Sequence, residues 1–142
     1  MTDLGHHRAY LADAVAAAQG APLSRRKALL AALLIDAQVD RLFAAGGLGD
    51  DILEFRAALA AASPALKLVL DLCAQRAYGP QLVLEALTVP VADYGRLSVE
   101  DFMVSLYNDH SVQRLLLLDG DGVRHDVMAT LGDALAALDE LA

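Results

Sequence analysis

Three observations in the sequence predict a mainly α-helical fold, a compact bundle of about six helices with a small β-hairpin near the C-terminus. Hydrophobic residues make up 56% of the chain, and many of them are alanine and leucine, which favour helices. Glycine and proline divide the chain into pieces of helical length. Residues 112–118 and 123–127 flank a four-residue turn, which is typical of a hairpin. An α+β fold with a small three-stranded antiparallel sheet is the alternative.

The first two helices are bounded by capping residues and glycines. The first is expected over residues 4–19, before a glycine. The second begins at the N-cap Ser24 and ends near Ala45, before a pair of glycines. Residues 29–35 leave this helix little polar face. A helix that is apolar almost all round is normally buried, so we expect it at a domain centre or in a subunit interface.

Two more helices follow. The third begins at residue 50 or 51 and runs to about Ala62. Ser63 and Pro64 are typical of an N-cap followed by a proline in the first helical position, and they open a fourth helix that ends at Gly79–Pro80. Cys73 lies on the apolar stripe of that helix, where a cysteine is usually a small buried hydrophobe.

The middle of the chain gives a weaker pattern. Residues 81–87 fit either a short helix or a strand, and residues 88–91 are expected to be extended because Pro90 disfavours a helix before it. This extended piece would supply a third strand. Residues 93–95 form a turn signal, and residues 98–101 begin a helix that ends near Asn108.

Near the C-terminus, the stretch Leu-Leu-Leu-Leu-Asp-Gly-Asp-Gly resembles a calcium loop but fails the required ligand spacing, since position five counted from Asp119 is Val123. A hairpin turn at residues 119–122 explains it better. His125 shares a strand face with Val123 and Val127, so we expect it to point into the core. The last helix runs from about Val127 to Leu141.

The composition excludes several classes of protein. The 142 residues fit a single domain, 1–142, and the longest apolar run is too short to cross a bilayer. The N-terminus lacks a signal-peptide pattern, and the single cysteine excludes an internal disulfide; together they favour a cytoplasmic protein. A net charge of −8 argues against binding nucleic acid or anionic membranes.

One set of residues has the chemistry of a metal or acid–base site. His6 and Asp13 share a stripe of the first helix, and Asp36 and Asp40 lie one turn apart on the second. If these faces met, they would offer nitrogen and oxygen ligands. The alternative is that all four are half-exposed polar positions.

A second set lies at the start of the second helix. Ser24, Arg25, Arg26 and Lys27 place three cations where the helix dipole is already positive, which is unfavourable unless an anion is bound there. A phosphate, a carboxylate or an acidic protein surface would suit. The alternative is a solvated basic turn.

The sequence favours a non-enzymatic helical module that associates with itself, as a dimer, or with a protein partner. A helical protein that binds a small ligand or anion is the second hypothesis, and an enzyme using His6, Asp13, Asp36 and Asp40 is the third. No cofactor is predicted, and no catalytic serine motif occurs. Residues 87–118 are poorer in alanine than the rest of the chain. This segment is therefore the second candidate for a functional surface, after residues 24–27.

Overall fold

The computed structural model describes residues 2–107 and 110–141. These residues form six α-helices, one short 3-10 helix and a three-stranded antiparallel sheet. The prediction of a mainly α fold with a small sheet is therefore confirmed. In chain order the elements are α1 (Asp3–Gln19), α2 (Arg25–Ala44), α3 (Ile52–Ala62), α4 (Pro64–Ala74), β1 (Gln81–Thr88), the 3-10 helix (Val91–Arg96), α5 (Val99–Tyr107), β2 (Ser111–Leu118), β3 (Arg124–Asp126) and α6 (Val127–Asp139).

Side-chain caps fix the starts of the helices where the sequence predicted them. The Ser24 hydroxyl accepts a hydrogen bond from the Lys27 N–H at 3.2 Å, and the Ser63 hydroxyl accepts one from the Leu66 N–H. The Asp126 carboxylate caps α6 in the same way, by accepting from the Ala129 N–H at 2.9 Å. Each cap satisfies a backbone donor that the first turn of a helix leaves free.

The end of α4 differs from the prediction. We expected this helix to continue to Gly79–Pro80, but it ends at Ala74, where Gln75 takes a left-handed conformation with φ of 52°. A non-glycine residue there costs about 1 kcal/mol. The consequence is an exposed loop, residues 75–80, which carries Arg76 and Tyr78 at the surface.

The sheet resolves the ambiguous middle of the chain. Residues 81–87, for which the sequence left helix and strand open, belong to β1. This strand pairs antiparallel with β2, and β2 pairs antiparallel with β3, so the sheet order is β1-β2-β3. The third strand therefore shares only Thr88 with the segment 88–91, where we expected it, and a 3-10 helix follows at 91–96. The predicted helix end near Asn108 lies outside the described residues.

The core lies between the helices and one face of the sheet. The helix α2 occupies the centre and contacts α1, α3, α4 and α6. From the sheet, Leu115 and Leu117 of β2 join this core, and Leu82 of β1 packs against it. In the part of the chain that is described, no helix has both the length and the apolar character to cross a membrane.

The apolar sequence of the central helix α2 suggests burial on every side, but one side of this helix is exposed in the structure. Small and branched residues form its buried face, including Ala31, Ala32 and Ile35, each at 0% exposure. Leu30 and Leu33 remain 48% and 41% exposed. Alanines let neighbouring helices approach closely on one face, and this packing leaves the leucines of the other face in solvent.

Candidate functional site

The predicted metal or acid–base set does not come together. His6 and Asp13 are exposed on α1. Asp36 and Asp40 both bind Arg56 of α3, whose Nη1 donates to Asp40 Oδ1 at 2.9 Å and whose Nη2 donates to Asp36 Oδ1. Within residues 2–107 and 110–141, no group of three or more histidine, cysteine or acidic side chains is placed to hold a metal ion. The two aspartates thus act as partners of one guanidinium.

The prediction also chose the wrong histidine for the face of α1 that meets α2. The buried residues of α1 are His7, Leu11, Val15 and Ala18, a stripe shifted by one position from His6. His7 is 7% exposed, and its Nδ1 lies 2.6 Å from Oε1 of Gln38 on α2. Because a carboxamide oxygen only accepts hydrogen bonds, Nδ1 carries the proton. The polar contact between the two helices is therefore buried.

The predicted anion set at the start of α2 divides into two parts. Ser24 and Lys27 are joined by the N-cap hydrogen bond, so the serine hydroxyl already serves the helix. Arg25 and Arg26 are exposed, and neither makes an ion pair with a described carboxylate. Both line a groove with Arg76, which sequence reasoning missed because it follows the unexpected end of α4.

His125 lies opposite the buried Leu117, on the core-facing side of the sheet, as the strand periodicity predicts, but at the margin of the core. Its Nε2 lies 2.8 Å from Asp119 Oδ2, and its side chain is 31% exposed. The β3 strand begins only at Arg124, so Val123 belongs to the turn and is 52% exposed. The other carboxylate oxygen of Asp119 accepts from the N–H groups of Asp121 and Val123. These contacts fix Asp119 and orient the imidazole at the edge of the core.

The charge of Asp119 is stabilised by the same contacts. The hydrogen bond from His125, followed by the backbone hydrogen bond from Val123, lowers the pKa of the Asp119 carboxyl below its ordinary value. The turn is also tightly seated, since a Cβ at Gly120 would lie 3.0 Å from the Tyr78 carbonyl oxygen. The Asp119–His125 pair thus fastens the turn within the hairpin, and Gly120 allows the turn to approach the loop after α4.

A cleft of about 610 Å³ lies beside this pair. A carboxylate and the histidine that it orients are two of the three members of a catalytic triad, and the third is a nucleophile. Among the described residues that line the cleft, the one hydroxyl is that of Tyr78, a side chain that is 93% exposed. Cys73 lies on the same helix as part of the cleft wall, but burial raises the pKa of its thiol to about 11. The pair thus has a structural role in the turn.

The outer edge of β1 offers unpaired backbone groups. The Asp119 N–H donates to the Val123 carbonyl, and the Val89 N–H donates to the His110 carbonyl. Residue 119 thus bonds toward β3 and residue 110 toward β1. Because successive residues of an antiparallel strand bond to alternate sides, the even-numbered residues of β2 bond to β1, and their partners there are odd-numbered. The even-numbered residues of β1 therefore direct their N–H and C=O groups outward, away from β2; these are Leu82, Leu84 and Ala86. Among the described elements, β2 alone makes an extensive contact with β1.

The helix α5 near this edge has an inverted burial pattern: it buries a polar residue and exposes apolar ones. Its buried residue is a serine, Ser105, at 0% exposure. The Ser105 hydroxyl donates to the Phe102 carbonyl at 2.8 Å and so needs no other partner. Six apolar residues of α5 are between 37% and 83% exposed: Val99, Phe102, Met103, Val104, Leu106 and Tyr107. An apolar patch of this size usually marks a binding surface.

These two features form one surface. Val104 of α5 and Ala86 of β1 line the same depression, together with Val112 of β2. We call the exposed apolar residues of α5 and the outer edge of β1 the α5–β1 surface. It falls almost entirely within residues 81–107, and most of it lies in the alanine-poor segment 87–118 that the sequence had singled out.

Comparison with known proteins gives no relative: no family model, no curated protein and no solved structure matches the chain.

Proposed function

We propose that the protein is a non-enzymatic association module that pairs with a second copy of itself through the α5–β1 surface. The inverted burial of α5 carries this proposal. This helix buries Ser105 and exposes Phe102, Met103 and Leu106. Removing apolar surface from water lowers the free energy by about 25 cal/mol for each Å². A second copy laid against α5 would remove that surface from water.

The free edge of β1 supports the same proposal. An added strand would satisfy the outward N–H and C=O groups of Leu82, Leu84 and Ala86 by main-chain hydrogen bonds. The side chains of Leu84 and Leu87 are 40% and 39% exposed beside that edge and would pack against the added strand. Strand addition and helix packing would thus act on adjacent parts of one interface.

The charge on β1 is compatible with a second copy as the occupant. The single ionisable side chain of β1 is Glu85, and its carboxylate accepts a hydrogen bond from Arg124 Nε at 2.7 Å. Two β1 strands related by a twofold axis would therefore meet without a net repulsion between unpaired carboxylates. The cytoplasmic location that the sequence predicts is part of the same proposal.

The oligomeric state of matched variants tests the proposal. Light scattering coupled to size-exclusion chromatography should show a dimer for the wild type. Leu84→Lys and Met103→Glu should each produce a monomer, because a charge would lie inside the interface. Leu53→Lys is the matched control, since Leu53 is 73% exposed on α3 and lies outside the α5–β1 surface. This control should remain a dimer.

Two outcomes would contradict the proposal. A wild-type protein that stays monomeric at the highest attainable concentration would exclude self-association. A dimer that survives both Leu84→Lys and Met103→Glu would place the interface elsewhere. Circular dichroism of each variant should match the wild type, because both positions are solvent-exposed in the monomer.

A further inference from the structure

A second surface lies at the N-terminal end of α2 and shares Leu82 alone with the residues named for the α5–β1 surface. It is a groove of about 590 Å³, a size typical of small-molecule sites. Arg25 and Arg26 of α2 lie on its wall with Arg76, from the loop after α4. Four leucines also line it: Leu29, Leu30, Leu72 and Leu82. Positive charge and aliphatic surface therefore meet in one concave place.

The arginines of this groove are unusual within the protein. Five arginines of the chain donate to a carboxylate: Arg8, Arg41, Arg56, Arg114 and Arg124. Among the described contacts, four others have no acidic partner, and three of those four are Arg25, Arg26 and Arg76. In a chain with 19 acidic residues and a net charge of −8, this is a concentrated local excess of positive charge. An anion would neutralise it.

The helix geometry increases the attraction for an anion. Arg25 and Arg26 occupy the first turn of α2, where the helix dipole is positive and cations are unfavourable. A bound oxyanion would offset that repulsion and would accept paired N–H bonds from the guanidinium forks. The arginine charges alone would bind any small anion, but the leucines favour an anion that carries an aliphatic group.

The apolar floor indicates an aliphatic body attached to the anion. Leu30 is 48% exposed at the groove, and Leu72 is 8% exposed beneath it. A ligand that covered Leu30 would remove apolar area from water, which a bare phosphate or acetate would not do. We propose that the groove binds a small amphipathic anion, with a carboxylate or phosphate head held by Arg25, Arg26 and Arg76 and an aliphatic chain lying on the leucines.

Titration calorimetry with simple probes tests this site. Decanoate and decyl phosphate, below their micelle-forming concentrations, should bind one molecule per chain, and the tighter of the two identifies the head group. Decanol lacks the charge and acetate lacks the chain, so each should bind at least about tenfold more weakly. Equal affinity for decanol and decanoate, or no binding of either anionic probe, would overturn the proposal.

Matched variants locate the site. Arg76→Gln should weaken decanoate binding by about tenfold or more, whereas Arg96→Gln removes the same charge outside the groove and should leave the affinity unchanged. Leu30→Asn should weaken binding, and Leu53→Asn, an exposed leucine on α3, should not. Equal losses for Arg76→Gln and Arg96→Gln would show that only net charge matters and would overturn the assignment.

The ligand site and the proposed dimer can fail independently. Leu84→Lys disrupts the outer edge of β1 but does not change a residue that lines the groove. This variant should be a monomer that binds decanoate with wild-type affinity. Loss of decanoate binding in a folded Leu84→Lys monomer would contradict a groove contained within one chain.

Discussion

The imidazole of His7 donates a hydrogen bond from Nδ1 to Oε1 of Gln38, across 2.6 Å, between α1 and α2. His7 is 7% exposed and Gln38 is 3% exposed, so neither side chain can turn to water when its partner is lost. Each lies on the buried face of its helix, and the other buried residues of both faces are apolar. The pair is therefore a polar contact inside an apolar interface. Removing one member leaves the other buried without a hydrogen-bond partner, and this destabilises the folded state.

A double-mutant cycle measures that link. His7→Leu and Gln38→Leu should each lower the free energy of unfolding by about 1–3 kcal/mol, because each leaves a buried polar group unpaired. The double variant should be more stable than the sum of the single losses predicts, since both polar groups are then gone. Urea denaturation gives the three values. Strictly additive losses would show that the two side chains do not interact.

Arg56 should matter more than a surface arginine. Its side chain is 25% exposed and serves both Asp36 and Asp40, whereas Arg41 is 43% exposed and pairs with Asp3, which is 88% exposed. Arg56→Gln should lower the free energy of unfolding by about 1–2 kcal/mol, because it leaves two aspartates repelling each other one turn apart.

The control for this prediction is Arg41→Gln, which should cost less than about 0.5 kcal/mol because an exposed ion pair contributes little. Thermal or urea unfolding of both variants gives the comparison. In an Asp36→Asn, Asp40→Asn background the cost of Arg56→Gln should shrink. Equal effects of the two arginine substitutions would contradict a structural role for the Arg56 cluster.

Cys73 should be a poorly reactive thiol in the native protein. Burial, with a smaller contribution from the nearby Asp36 charge, raises the pKa of Cys73 from 9.0 to about 11. Because the thiolate is the reactive form, the native protein should alkylate with iodoacetamide about a hundredfold more slowly than an ordinary thiol at pH 8. Labelling in urea is the internal control and should be fast. Equal rates in native and unfolded protein would contradict this burial.

Acid should weaken the protein through the hairpin turn. The hydrogen bonds from His125 and from the Val123 and Asp121 backbones lower the pKa of Asp119 below its ordinary value of 3.8. A lowered pKa in the folded state contributes stability that is fully present above pH 3.8 and is lost as the pH falls through the folded value. The advantage of the wild type over Asp119→Asn should therefore shrink below about pH 4.

Urea unfolding at several pH values tests the effect. The control is Asp13→Asn, since Asp13 is exposed and makes no hydrogen bond in the described part of the chain. This variant should follow the wild type throughout the range. An advantage over Asp119→Asn that stays constant down to pH 2 would show that the turn contacts do not depend on the carboxylate charge.

Local sequence signals determined where most elements begin. Ser24 and Ser63 indicate helix starts in the sequence because a short polar side chain before an apolar periodic segment has few other roles. The hairpin was recognised because glycine and aspartate tolerate the tight turn between two apolar strands. These signals operate within a few residues, so the sequence alone contains them.

Only the tertiary structure decided which side chains meet. His7 rather than His6 faces α2, since a shift of one residue rotates a helical side chain by about 100°. Arg56 reaches Asp36 and Asp40 from another helix, and Arg76 joins Arg25 and Arg26 because α4 ends early at Gln75. The alternation of hydrogen bonds along β2 turned one edge of β1 outward. Such relationships depend on packing between distant segments, and packing is not encoded within any one segment.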